Sequence, residues 1–258
     1  MAYKDILVYL DAAGDTPARL NLAVGLARAH GARLIGVDAS ADAAFLDAWA
    51  DKAVHIGPLF AATAREAGLE TRFVSADDAP AVGGELGHCV DLIVASRYEG
   101  EARALVRPEI PDAVLVASGV PMLLLPVNWN PAPVGEIIVI AWNASREATR
   151  AVHDAMPLLV KAKKVTLFSF SPRSSEMRSS SELLADHLRR HGVAAKISDW
   201  TDTGDISALE ALFADLDTQD ADLFVSGAFG HSRLFESLFG GVSRELLAQP
   251  TIPLLMSH

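Results

Sequence analysis

Gly227 and Gly230 stand three residues apart directly after a short apolar run, and Gly240-Gly241 follow, ahead of Val242-Ser243-Arg244. Glycines so placed let the backbone turn sharply and present its N–H groups. The stretch from Val242 to Ala248 reads as a helix, so the second pair falls at a helix N-terminus. Free N–H groups and the positive dipole end suit an anion there. Ser243 adds a hydroxyl, and His231, Ser232 and Arg233 are placed to reach a phosphate or its solvent side. A lone Gly-x-x-Gly is usually only a turn. Two glycine clusters at this spacing, both following one strand, point to phosphate binding. The loop lacks the Gly-Lys-Ser/Thr of strong NTPases, and no nucleophile–base pair with supporting context is found, so hydrolysis is expected to be slow or absent.

Other reactive residue types have blander readings. His187 and His191 are four apart on an expected helix, a spacing that can hold a metal, but no acidic or Cys partner with ligand spacing accompanies them, Arg189 and Arg190 lie between, and a solvent-facing helix is expected. His153-Asp154 lies inside a helix, away from strand ends. Cys89, the one cysteine, permits no internal disulfide and reads as a small core residue.

The elements that must position the glycine loop come in two sets. Ile6–Leu10 and Ile137–Ala141 are short β-rich apolar runs, each followed by polar residues and a helical pattern. Leu34–Val37 is answered by Val165–Phe168, Thr71–Val74 by Ala195–Ser198, Asp91–Ser96 by Asp222–Gly227, and Val120–Leu124 by Ile252–Met256. In the first set Thr16 before Pro17 reads as an N-cap and N1 pair, with Leu20, Ala23, Val24 and Ala27 on one helix face. Buried strands of four to six residues alternating with helices predict α/β architecture: two tandem, doubly wound, parallel five-stranded sheets of Rossmann-like type, related by a pseudo-twofold axis. The expected domains are residues 1–128 and 134–258, joined by Asn128–Pro133. In such sheets ligands bind beyond the C-terminal strand ends where strand order reverses.

Composition narrows the partners. The 258 residues are half hydrophobic, with a net charge of −11. Both halves are acidic, with 10 basic against 17 acidic residues up to residue 130 and 12 against 16 beyond it. Neither nucleic acid nor an anionic membrane is an expected partner. With no leader and no bilayer-length apolar run, a cytoplasmic protein is expected.

The glycine spacing resembles that of the universal stress proteins, and the repeat resembles their tandem-domain type. Nucleotide-binding members of that family carry Gly, two residues, Gly, nine residues, Gly and then Ser or Thr. Gly227, Gly230 and Gly240 keep that spacing. Gly241 departs from it, and Val242-Ser243 follows in agreement. The resemblance implies ATP or a related adenine nucleotide, with or without Mg, in the second domain of a stress-response regulator. The family's acid after its first strand, which helps hold adenine and ribose, is replaced by Asn143, beside Trp142. Phe170 falls near the adenine position. A protein partner is expected but unnamed by the sequence. The chain is expected to be a monomer with an internal pseudo-dimer, or a homodimer. The alternative is a nucleotide-independent interaction module.

The first copy keeps the acid, Asp11, but has Ser96 where Gly227 stands. Glu99, Glu101, Glu109 and Asp112 replace the glycine loop, with Arg97, Arg103 and Arg107 read as solvated helix residues. Like charge opposes a triphosphate there, so this half is expected not to bind one.

Overall fold

The computed structural model describes residues 2–12, 15–40, 55–75, 86–99, 106, 111–171, 174–201, 206–228 and 250–258. The chain divides into two compact units, Met1–Pro131 and Ala132–His258.

In the first unit the strands are β1 (Asp5–Leu10), β2 (Arg33–Asp38), β3 (Thr71–Val74), β4 (Leu92–Ser96) and β5 (Met122–Leu125). They lie in the order β3-β2-β1-β4-β5, and every neighbouring pair is parallel. Helices α1 (Thr16–His30), α2 (Ile56–Ala67) and α3 (Asp112–Ser118) accompany them. The second unit repeats the plan with β6 (Ile137–Ala141), β7 (Lys164–Ser171), β8 (Ala195–Thr201), β9 (Leu223–Gly227) and β10 (Leu254–Ser257), in the order β8-β7-β6-β9-β10 and again all parallel. Its helices are α4 (Arg146–Leu159), α5 (Ser174–Arg190) and α6 (Ala208–Gln219). The near-continuous apolar strands are buried from end to end in β4, β5 and β10, as strands covered on both faces require.

Register fixes which residues correspond. Ile6 pairs with Leu92 in the first unit, and Ile138 pairs with Leu223 in the second. Asp11 is therefore the counterpart of Asn143, and Ser96 of Gly227. The helices that follow agree. Thr16, Arg19, Leu20, Ala23 and Ala27 are buried on α1, as Ala148, Ala151, Val152, Ala155 and Leu159 are on α4.

The repeated Asp-Leu before the fourth strand has a physical role. Asp91 accepts hydrogen bonds from the backbone N–H groups of Lys4 and Asp5 at 2.6 and 2.9 Å. Asp222 accepts from Gly135, Glu136 and Ile137 at 2.9–3.0 Å. Each carboxylate ties the start of its unit's first strand to the start of its fourth.

Two sequence expectations change. Asp15, not Thr16, occupies the N-cap of α1 and makes no side-chain cap bond, and the Thr16 hydroxyl turns instead to Asp11. Cys89 is exposed rather than core: it ends the short 3₁₀ turn Gly87–Cys89, and Val90 is the residue that turns inward.

Candidate functional site: the crevices at the central strand ends

Strand order reverses beside the first strand of each unit, between β1 and β4 and between β6 and β9. Those C-terminal ends form the crevice where such sheets take ligands.

In the second unit the chain leaves β6 at Trp142. Its backbone N–H donates to Phe168 O at 2.8 Å, and its indole Nε1–H donates to Ser180 Oγ on α5 at 3.0 Å. Asn143 is half-buried and turns the chain: its Oδ1 accepts from the Ser145 N–H at 3.1 Å, and Ala144 takes a positive φ of 57°. Ser145 then caps α4 by accepting from Ala148 N–H at 3.1 Å. The asparagine's acceptor is thus committed to its own turn, leaving the amide Nδ2 as its donor group.

Gly227 ends β9 against the first turn of that helix. A Cβ there would lie 2.5 Å from the Glu147 carbonyl carbon and 2.6 Å from Ala148 N, both backbone atoms that cannot swing away. Glycine at 227 therefore lets strand and helix N-terminus approach, whatever else binds nearby. Ala228 follows, its N–H on Ser257 O at 2.8 Å and its carbonyl 3.1 Å from His258 Nδ1. Phe170 is buried at 2% exposure on β7, opposite Trp200. Gly230, His231, Gly240, Gly241, Val242 and Ser243 lie outside the described residues.

The first unit fills the same place with charge. Asp11, Thr16, Arg19 and Ser96 each have 0% exposure, and Tyr98 is buried beside them. The Arg19 guanidinium donates through Nη2 to Asp11 Oδ2 at 2.5 Å and to Thr16 Oγ1 at 2.6 Å, and through Nη1 to the Tyr98 hydroxyl. Tyr98, two residues past β4, donates its own O–H to Asp11 Oδ2. Thr16 Oγ1 donates to the Asp11 main-chain carbonyl at 2.9 Å. Burial disfavours the charged guanidinium, but Asp11, Tyr98 and Asp15 outweigh it and hold Arg19 protonated beyond its ordinary range. Burial likewise pushes the Tyr98 phenol well up, against the pull of Arg19, so it stays a donor. The acid is saturated from within the protein.

The like-charge cluster expected from the sequence is not what surrounds Asp11. Glu99 is exposed, the Asp112 side chain, Glu101 and Glu109 fall outside the described residues, as do Arg103 and Arg107, and Arg97 is half-buried. Sequence reasoning passed over Arg19 and Tyr98. A signal for Arg19 was available: it shares the stripe of Ala23 and Leu26, where a cation is out of place unless a buried anion faces it.

No family model matches the chain, and no curated protein matches it either. Solved structures do match over its whole length. A universal stress protein from Archaeoglobus fulgidus DSM 4304 is similar with a TM-score of 0.69 at 16% identity, over 98% of this chain and 97% of that one. A putative universal stress protein from Pseudomonas aeruginosa UCBPP-PA14 follows with a TM-score of 0.61 at 17% identity, over 99% and 93%. A functionally unknown protein from Pseudomonas aeruginosa PAO1 gives 0.57 at 17% identity, over 99% and 92%. The chain carries the fold of the universal stress proteins, built twice along its length.

Proposed function

We propose that this chain is a stress-response regulatory protein that binds ATP or a related adenine nucleotide, with or without Mg, at the central strand ends of its second unit. The observation that carries the reading is the asymmetry between the two crevices. Where the first unit surrounds Asp11 with Thr16 and Arg19, the second has Asn143, Ala148 and Ala151 at the corresponding positions. The α4 N-terminus comes close to the end of β9, from which the Gly230–Ser243 loop departs. That loop carries the glycine spacing for phosphate, and Trp142 and Asn143 border the place where a base and ribose would lie.

The experiment is thermal unfolding of the full chain with ATP, with AMP, with and without Mg, and without nucleotide. A ligand at 100 times its Kd adds about 2.7 kcal/mol of stability. A rise that disappears in Gly230→Glu supports the site. An equal rise in that variant would place binding elsewhere, and two nucleotides per chain would refute a silent first unit.

A nucleotide-independent interaction module is the second reading. One observation favours it: Gly227 has a packing reason to be glycine that needs no ligand. The absence of any shift with every adenine nucleotide would leave this reading standing.

A further inference from the structure

Where the chain leaves β9, its last strand bond runs from Ala228 N–H to Ser257 O at 2.8 Å. The Ala228 carbonyl is then met by a side chain: His258 brings Nδ1 to 3.1 Å from it. A carbonyl only accepts, so Nδ1 carries the proton and donates. Ala228 has 0% exposure, and a buried carbonyl needs a donor. Among the described residues His258 is the one that supplies it. The His258 ring is itself exposed, so core packing does not force it to this carbonyl.

The first unit does without this contact. There Arg97 N–H donates to Leu125 O at 2.9 Å, which makes Arg97 the counterpart of Ala228, Leu125 of Ser257 and Pro126 of His258. Proline has neither an N–H nor a side-chain donor. The donor is thus present in the unit whose fourth strand leads into Gly230, Gly240 and Gly241, and missing from the unit without those glycines. One residue earlier, Gly227 abuts the first turn of α4 at the backbone of Glu147 and Ala148. Helix α4 and strand β10 together hold the two residues from which the loop departs.

We propose that His258 is a positioning residue for the second unit's crevice: its Nδ1–H fixes the Ala228 carbonyl, so that the chain leaving β9 starts in a set direction. The inference rests on the reading of the glycine loop as the phosphate-binding element. N–H groups that are ordered beforehand bind an anion more tightly, because less freedom is lost on binding.

The test is hydrogen exchange of the ligand-free full chain, with ATP binding measured by calorimetry beside it. His258→Leu removes the donor. His258→Asn keeps it, because the amide Nδ2 stands one bond beyond Cγ as the imidazole Nδ1 does. Both alter an exposed side chain, and unchanged exchange in β1 to β5 checks that the fold is kept. His258→Leu is expected to speed exchange several-fold at Ala228 and in residues 229–233, and to weaken ATP roughly fivefold. His258→Asn is expected to restore both. Wild-type exchange in His258→Leu, equal speeding in the two variants, or faster exchange with ATP affinity unchanged overturns the proposal. Faster exchange confined to His258→Leu, in a chain that takes up no ATP, upholds the anchor and removes the nucleotide reading instead.

Discussion

Around the ends of its central strands the first unit places Asp11, Thr16, Arg19 and Ser96, and the second places Asn143, Ala148, Ala151 and Gly227. The first three differences are coupled. A buried carboxylate requires a cation, and a buried guanidinium requires several acceptors. The first unit meets both needs with Asp11, Thr16 and Tyr98. Where the acid becomes an amide, the cation has no partner, and its counterpart is alanine. The contrast teaches that a carboxylate at a strand end can be fully engaged by a counter-charge from its own unit.

The largest effect is expected on breaking that network. Arg19→Ala leaves Asp11 buried and unpaired, and is expected to cost about 3–5 kcal/mol in denaturant unfolding. Adding Asp11→Asn, which gives the first unit the second unit's pair of residues, should recover most of the loss, because the two effects are not additive. A single variant that costs less than about 1 kcal/mol breaks the comparison.

The next effect is an exchange across the strand ends. Gly227→Ser drives a Cβ into the backbone of Glu147 and Ala148 and is expected to cost about 1–3 kcal/mol. Ser96→Gly, the reverse change, removes a buried hydroxyl without a hydrogen-bond partner and should cost under about 1 kcal/mol. Equal costs measured by the same unfolding curves would mean that the strand ends do not differ in this way.

The smallest effect concerns the carboxylates before the fourth strands. Asp222→Asn is expected to cost about 1 kcal/mol near neutral pH. Burial pushes the Asp222 carboxyl above its ordinary value, despite the backbone donors at Ile137, Gly135 and Glu136. The folded chain therefore holds this proton more tightly than the unfolded chain. The contribution favours folding at low pH and is lost as pH rises through the raised value. The stability of wild type minus that of Asp222→Asn should thus fall with rising pH. A flat or rising difference would contradict the burial argument.

The sheets were readable because their strands are buried on both faces and need uninterrupted apolar runs such as Leu92–Ser96 and Leu223–Gly227. The paired Asp91 and Asp222 were visible as a repeat, but their bonds to a strand more than eighty residues away were not. At the strand ends, local patterns left contacts out. Thr16 before Pro17 has the form of a cap, yet its hydroxyl serves Asp11. Gly227 has the form of a phosphate glycine, and its contacts show a helix packed against it. Arg19 was passed over because its partner Tyr98 lies 79 residues away in sequence. Position in space, not local pattern, decides each of these.

The same polar groups bear on how the first unit finds its pairing. β1 is apolar from Ile6 to Leu10 and β4 from Leu92 to Ala95, and a slide of two residues would still bury them. Asp91 fixes the pair at one end through Lys4 and Asp5, and Tyr98 fixes it at the other through Asp11. A slid pairing would carry Tyr98 away from Asp11 and Asp91 away from the N–H groups of Lys4 and Asp5, so the central strands carry a polar check on alignment at both ends that their apolar side chains do not provide.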